Sequence, residues 1–448
     1  MFPSVSRRSL LGAGLGAALS SLGRIALPAT AAAARRLVEV TLEARAEELE
    51  VAGERVRLLT YNGCYPGPLI RAAEGDRLRI TLVNALDEPT NLHFHGLHVS
   101  PEGYGDNVFV EVEPGERHTY ELEVPEGYGG TFWYHPHTHH RLARQLWRGL
   151  AGPLVIDRPL EREVPELAAA DEHVVVVKDL SVVDGLPAEH TTGDWARGKT
   201  GRSVLVNGVP GPVLDAKASL VRLRLINACN ARMLLLARDD GRPLQLAAHE
   251  GHLLAAPQAL AQVLVTPAQR VDLLLPLEPG EPLRLVQIPY NSGAIRTPAE
   301  VETLLTIRPP AKATPSPLPV RLATVERLDP AAAATRRTLR MAMAFLTPDG
   351  HPHLEPVRAK LGDLELWEIT NVDTQDHVFH LHVWPFQVWR RNGVEAPYPA
   401  WRDTIDIRPG ERVEILIPFR DFAGTAVFHC HIAEHGDAGM MSIVEVVP

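Results

Sequence analysis

Apolar and polar residues alternate with a period of two along much of this chain, and one alternating segment occurs three times. The first copy opens on Gly67-Pro68-Leu69-Ile70 and ends Leu78-Arg79-Ile80-Thr81-Leu82-Val83-Asn84. The second opens on Gly211-Pro212-Val213-Leu214 and ends Val221-Arg222-Leu223-Arg224-Leu225-Ile226-Asn227. The third opens on Leu354-Glu355-Pro356-Val357 and ends Leu364-Glu365-Leu366-Trp367-Glu368-Ile369-Thr370-Asn371. A period of two puts the apolar set on one face of an extended strand, so each copy predicts a half-buried strand that enters a turn at its asparagine. Downstream of each lies a second match, Pro114-Gly115-Glu116-Arg117, Pro267-Ala268-Gln269-Arg270 and Pro409-Gly410-Glu411-Arg412, which reads as a turn leading into another strand.

Two ordered matches recurring every 140–150 residues or so predict three homologous domains of ordinary size. Short strands, frequent Pro/Gly turns and little helical periodicity make the fold all-β, each domain an antiparallel sandwich. The Pro-rich stretch from Pro309 to Pro317 reads as the linker before the third copy, and the first boundary lies between Asp157 and Pro165. The expected domains are therefore 35–160, 161–310 and 318–448.

Residues 1–34 stand apart from this pattern. Ser6-Arg7-Arg8-Ser9-Leu10-Leu11 precedes a Gly/Ala/Leu stretch to Leu27, then Pro28-Ala29-Thr30 and four alanines. Paired arginines, a weakly apolar run and small residues at a cleavage site make a twin-arginine (Tat) export signal. The mature chain would begin near Ala34 or Arg35, in the periplasm or outside the cell, without a membrane anchor and as a monomer. Its export partner would be the Tat machinery. The net charge of −10 argues against nucleic acid or an anionic membrane as a partner.

Composition changes the picture at one point: there are 20 histidines against 3 cysteines. Ten of the histidines form four short clusters, two in the first repeat and two in the third. These are His93-Phe94-His95-Gly96, His135-Pro136-His137, His377-Val378-Phe379-His380-Leu381-His382, and His429-Cys430-His431 followed by His435 and Met440. On a strand, His-x-His points both imidazoles to one face, and neutral imidazole suits copper or zinc. One such pair is commonly an accident, but four pairs confined to the outer repeats predict a metal centre shared between them. Cys430 adds a thiolate to imidazoles and a thioether, the donor set of a blue electron-transfer copper. His429 and His431 then point away from Cys430, towards a second centre.

With those motifs in place, the chain resembles the multicopper oxidases, a family that includes laccases, bilirubin oxidases and bacterial copper-efflux oxidases. All four family motifs are matched in order, with Val378 where many members have proline. The resemblance implies three tandem cupredoxin-like Greek-key β-sandwiches and four copper ions as cofactors. It implies a type 1 copper on His377, Cys430 and His435 with Met440 axial, and a type 2 copper on His93 and His380. The type 3 pair would rest on His95, His135 and His431 for one ion and His137, His382 and His429 for the other. Dioxygen and a small reducing substrate (a phenol, an aromatic amine or Cu(I)) are the implied partners.

Several residues carry secondary expectations. Asp106 and Glu434 lie where carboxylates could relay protons for dioxygen reduction. His139 and His140 exceed what the centre needs, and His98, His118, His249, His252, His351 and His353 lack partner spacing. Cys64 and Cys229 could pair, but nothing in the sequence gives their geometry. A copper-storage protein would carry Met- or Cys-rich tracts, and a copper-free structural relative would have lost ligands. Only 6 methionines are present. Met341 and Met343 alternate on an expected strand and read better as sheet residues than as a Cu(I) port. A laccase-like enzyme follows, with electrons entering through an exposed edge of His435 or His377; the alternative is a cuprous oxidase.

Overall fold

The computed structural model describes residues 35–312, 316–353 and 355–448, so the export signal read over residues 1–34 lies outside the described residues. Three sandwiches follow one another. In the first, strands Glu54–Tyr61, Leu37–Val51, Arg77–Asn84 and Arg117–Glu123 form one sheet, and Ile70–Ala73, Gly152–Asp157, Gly130–His135 and His93–His95 form the other. The middle sandwich packs a six-stranded sheet centred on Leu220–Asn227 and Arg270–Pro276 against a five-stranded one. In the third, the sheet holding Leu364–Asn371 and Arg412–Pro418 packs on Val357–Lys360, Met441–Val447, Gly424–Cys430, His377–Leu381 and Thr404–Ile407.

The sandwiches are not purely antiparallel, as the alternation alone suggested. In each, the repeated strand pairs in parallel with the strand that opens the sandwich: 77–84 with 37–44, 221–227 with 171–177, and 365–371 with 335–341. The closing strand returns in parallel beside the strand after the first repeat motif: 154–157 on 70–73, 306–308 on 213–215, and 444–447 on 357–360. Two parallel pairings per sandwich need long crossovers between faces, which local alternation does not encode.

The three asparagines do one job. Each side-chain amide donates to two carbonyls across the turn: Asn84 to Glu88 and Val112, Asn227 to Arg232 and Val265, Asn371 to Gln375 and Ile407, all at 2.7–2.9 Å. Each side-chain oxygen accepts from the N–H two residues on. The turn facing each asparagine needs a left-handed residue, supplied by Gly115 (φ 82°), Ala268 (φ 72°) and Gly410 (φ 73°). The asparagines therefore lock each strand end to its partner turn.

The middle copy departs from expectation in burial. Arg77–Asn84 alternates as predicted, but all eight residues of Leu220–Asn227 are buried, Arg222 and Arg224 included. Those arginines are covered by the helix Pro159–Glu163, whose Glu161 binds both, and by Asp272. The chain after residue 315 packs Leu318, Leu322 and Ala323 on this sandwich before entering the third, where Leu328 joins Leu366 and Leu416.

Candidate metal centre

The strands place the histidine clusters at the meeting of the first and third sandwiches. His93 pairs in register with His135, and His95 with Trp133. In the third sandwich His380 faces His429, and Phe379 faces Cys430. The strands around these motifs end at His95, His135 and Leu381. The two sandwiches meet ring on ring: His93 stacks on His382 and His95 on His380, each with centroids 3.9 Å apart and planes 15° from parallel.

Five groups of possible ligands result among the described residues, each with donor atoms within 4.8 Å of one another: His93, His95 and His380; His95, His135 and His431; His137, His382 and His429; His377, Cys430 and His435; and His93, Asp106 and His382. All their residues are buried. Four rings are held by one nitrogen: His93 Nδ1 by Asp106 at 2.8 Å, His135 Nδ1 by the Pro136 carbonyl, His429 Nδ1 by the Cys430 carbonyl, His380 Nδ1 by the Asp403 carbonyl, while His137 Nδ1 and both nitrogens of His431 are buried with no hydrogen-bond partner. The opposite nitrogens of His93, His135 and His380 are buried without a hydrogen-bond partner, as is Nδ1 of His95. His137 and His382 instead converge on His429, their Nε2 atoms 3.2 and 3.1 Å from its Nε2. Buried unpaired nitrogens are costly unless something else binds them, so these residues fit metal ions.

Electrostatics agree. Burial, reinforced by neighbouring imidazoles, pushes His95, His135, His137, His380, His382 and His431 well below the usual histidine range. His429 and His435 fall to about 3, so the rings are neutral and their lone pairs are available. Burial pushes the Cys430 thiol up to about 12. A thiolate there needs a cation, which a metal provides. Cys430 Sγ lies 3.7 Å from Nδ1 of both His377 and His435, and Met440 is fully buried in the same cluster of side chains.

The two acids sit differently. Asp106 accepts from His93 and from the Phe94 N–H, so it touches a ring of the cluster. Glu434, on the short helix Ala433–Asp437, accepts from His190 at 2.9 Å and Asn230 at 2.8 Å, while its Oε2 is buried and unpaired. His377 and His435 are both fully buried, so neither offers the exposed edge expected from the sequence. The helix Thr192–Arg197 lies against the helix carrying His435. Asp373 reaches His377 Nε2 at 3.1 Å, and Gln375 bridges the Ala196 carbonyl and Met343 Sδ. Met341 is buried, and Met343 lies past the strand Thr335–Met341 rather than on it, 38 % exposed.

Among the other histidines, His139 and His140 are exposed, and His98 is buried between the Val383 carbonyl and Asp421. Cys64 is exposed, Cys229 is buried, and both are free. Sequence reasoning missed Asp403, Thr404, Arg270, Asp373, His190, and Trp133, which stacks on His135 at 4.2 Å. Only Arg270 carried a signal, its place at the end of the second repeat motif; the others have no spacing that marks them.

The fold and these ligand sets define a copper-dependent oxidoreductase built from cupredoxin-like sandwiches. Family models described as multicopper oxidase match residues 43–161 and 321–448, and the chain belongs to the multicopper oxidase family, which binds copper and uses dioxygen as electron acceptor with a small reducing substrate. It is 30 % identical over 399 residues to the multicopper oxidase mco of Staphylococcus haemolyticus, covering 87 % of this chain and 83 % of that one. It is 28 % identical to the cell division protein FtsP of Dickeya dadantii, covering 92 % and 90 %. It superposes with TM-score 0.82 on a multicopper oxidase from Campylobacter jejuni described as a metallo-oxidase, at 28 % identity over 92 % of this chain and 91 % of that one. Among the described residues, no helix is long and apolar enough to cross a membrane.

Proposed function

We propose that this chain is an exported, laccase-like oxidase that removes single electrons from phenols and aromatic amines and reduces dioxygen to water. The ligands are those the motifs imply. His377, Cys430, His435 and Met440 hold a type 1 copper, and His93 and His380 a type 2 copper. His95, His135 and His431 hold one type 3 ion, and His137, His382 and His429 the other. Four coppers so held supply one-electron acceptance at the thiolate and four-electron reduction of dioxygen at the cluster. Because Cys430 lies between His429 and His431, covalent bonds join the two centres. Asp106 and Glu434 carry protons inward, Glu434 from His190. Export follows the twin-arginine signal, and the mature chain acts as a monomer with domains 35–160, 161–310 and 318–448.

The observation that carries the substrate choice is that Met341 is fully buried, leaving Met343 as the one of this pair that reaches the surface. A single thioether beside an amide is a poor site for soft Cu(I). Substrate instead meets the thin cover of Gln375, Asp373 and the helix Thr192–Arg197 over buried His377 and His435. A cuprous oxidase is the second reading, favoured by the partly buried Met343 sulfur next to Gln375. Catalytic efficiency for 2,6-dimethoxyphenol and for cuprous ion, each with and without excess Cu(II), separates them. We expect phenol oxidation without added copper; fast cuprous oxidation with negligible phenol oxidation until copper is added would overturn the laccase-like reading.

A further inference from the structure

Among the described residues the middle sandwich supplies none of these ligands, yet one of its side chains grips the carboxylate that touches a ring of the cluster. The Arg270 guanidinium is fully buried where the three sandwiches meet. Its Nε donates to the Thr131 carbonyl of the first sandwich, and Nη1 and Nη2 donate to Glu250 Oε2 and the Glu250 carbonyl of the second. The same two nitrogens grip the Asp403 carboxylate of the third, at 2.8 and 2.5 Å. A guanidinium paired on both sides is pre-organised and hard to displace.

Asp403 passes this constraint to two imidazoles. Its Oδ1 lies 3.1 Å from His95 Nε2, and its backbone carbonyl lies 2.9 Å from His380 Nδ1. Thr404 Oγ1 donates to Asp403 Oδ1 and touches the same two ring nitrogens, at 3.2 and 3.1 Å. With Nε2 of His95 and Nδ1 of His380 so engaged, the free lone pairs are on His95 Nδ1 and His380 Nε2, both buried and unpaired. The fit is tight: a Cβ at Gly96 would come within 2.1 Å of Arg270 Nη2 and 2.6 Å of Asp403 Oδ2.

We propose that Glu250, Arg270 and Asp403 form a positioning unit through which the middle sandwich sets the tautomer and angle of His95 and His380, and hence retention of copper at the trinuclear centre. The inference rests on the ligand assignment above. Orienting partners of metal-bound histidines are worth about 10–100-fold in metal affinity. The test takes copper-loaded wild type, Asp403→Asn, Arg270→Lys and Gly96→Ala, and dialyses each against graded EDTA. Copper per chain, the type 2 electron paramagnetic resonance signal and the blue thiolate band are followed together. Each variant should lose cluster copper at about 10–100-fold lower chelator, with an altered type 2 signal, while the blue band persists and reports that the third sandwich is folded. Unchanged copper retention and an unchanged type 2 signal in Asp403→Asn and Arg270→Lys would overturn the inference. Parallel loss of the blue band and cluster copper would also overturn it, by showing a merely structural role. If wild type itself retained no cluster copper, the ligand assignment would fail instead.

Discussion

Glu161→Gln is the substitution whose cost is most directly worked from the structure. Glu161 lies on the helix between the first two sandwiches and accepts from Arg222 at 2.7 and 2.9 Å and from Arg224 at 2.8 Å. Burial alone would raise its carboxyl, but Arg224 and Arg222 win and hold it at about 2, against an ordinary 4.5. That difference converts to about 3 kcal/mol of folding stability at neutral pH, the low end of what breaking a buried ion pair costs. Glutamine keeps the volume and removes the charge, leaving the arginines Asp272 and Glu172. Because the folded value is depressed, this stability is complete above pH 4.5 and is lost as pH falls towards 2. Hydrogen exchange read by mass spectrometry suits a three-domain chain, since it needs no two-state unfolding. Peptides spanning 159–172 and 220–227 should exchange roughly a few hundredfold faster in the variant at pH 7, and only about tenfold faster at pH 3 after correction for intrinsic rates. A gap below threefold at pH 7, or one that does not narrow with acid, would refute the reasoning.

Three further outcomes are expected. Cys430→Ser should lose the blue absorption and all oxidase activity while keeping its circular dichroism spectrum; a blue variant would remove Cys430 from the type 1 site. Glu434→Gln and Asp106→Asn should keep copper and still accept electrons at the type 1 site, yet reduce dioxygen about 10²–10⁴-fold more slowly. Wild-type turnover of both with a fast reductant would exclude them as proton carriers. Replacing Arg7 and Arg8 together by lysine should leave precursor in the cytoplasm, and fractionation showing normal export would dismiss the twin-arginine reading.

Much of the fold was legible because the repeats obey one local rule. The Asn84, Asn227 and Asn371 segments each became a strand closed by the same three side-chain hydrogen bonds, and His93 and His95 lie on one strand as alternation predicts, whereas His137, His382 and His431 fall just past the ends of theirs. What escaped was long-range. The parallel pairings depend on crossovers, and Arg222, Arg224 and Arg270 alternate with apolar residues as exposed arginines would. They are buried because Glu161, Asp272, Glu250 and Asp403 arrive from elsewhere in the chain, and no spacing announces those partners. The cover over His377 and His435 escaped for the same reason, since its helix Thr192–Arg197 comes from the middle sandwich.

The ring contacts at the cluster join His137 to His429 across 292 positions of sequence, and Asp403 meets His95 across 308. A centre with that sequence separation has a timing in the life of the molecule. No amino-terminal fragment that stops short of His380 contains both halves of any shared ligand set, and the sets completed by His429 and His431 wait for the last strands of the third sandwich. The cluster as a whole can therefore close only after the third sandwich is made, so copper retained in it would report that the first and third sandwiches have docked. A truncation ahead of His429 would remove His429 and His431, one ligand from each of two shared sets, however well the remaining sandwiches survived.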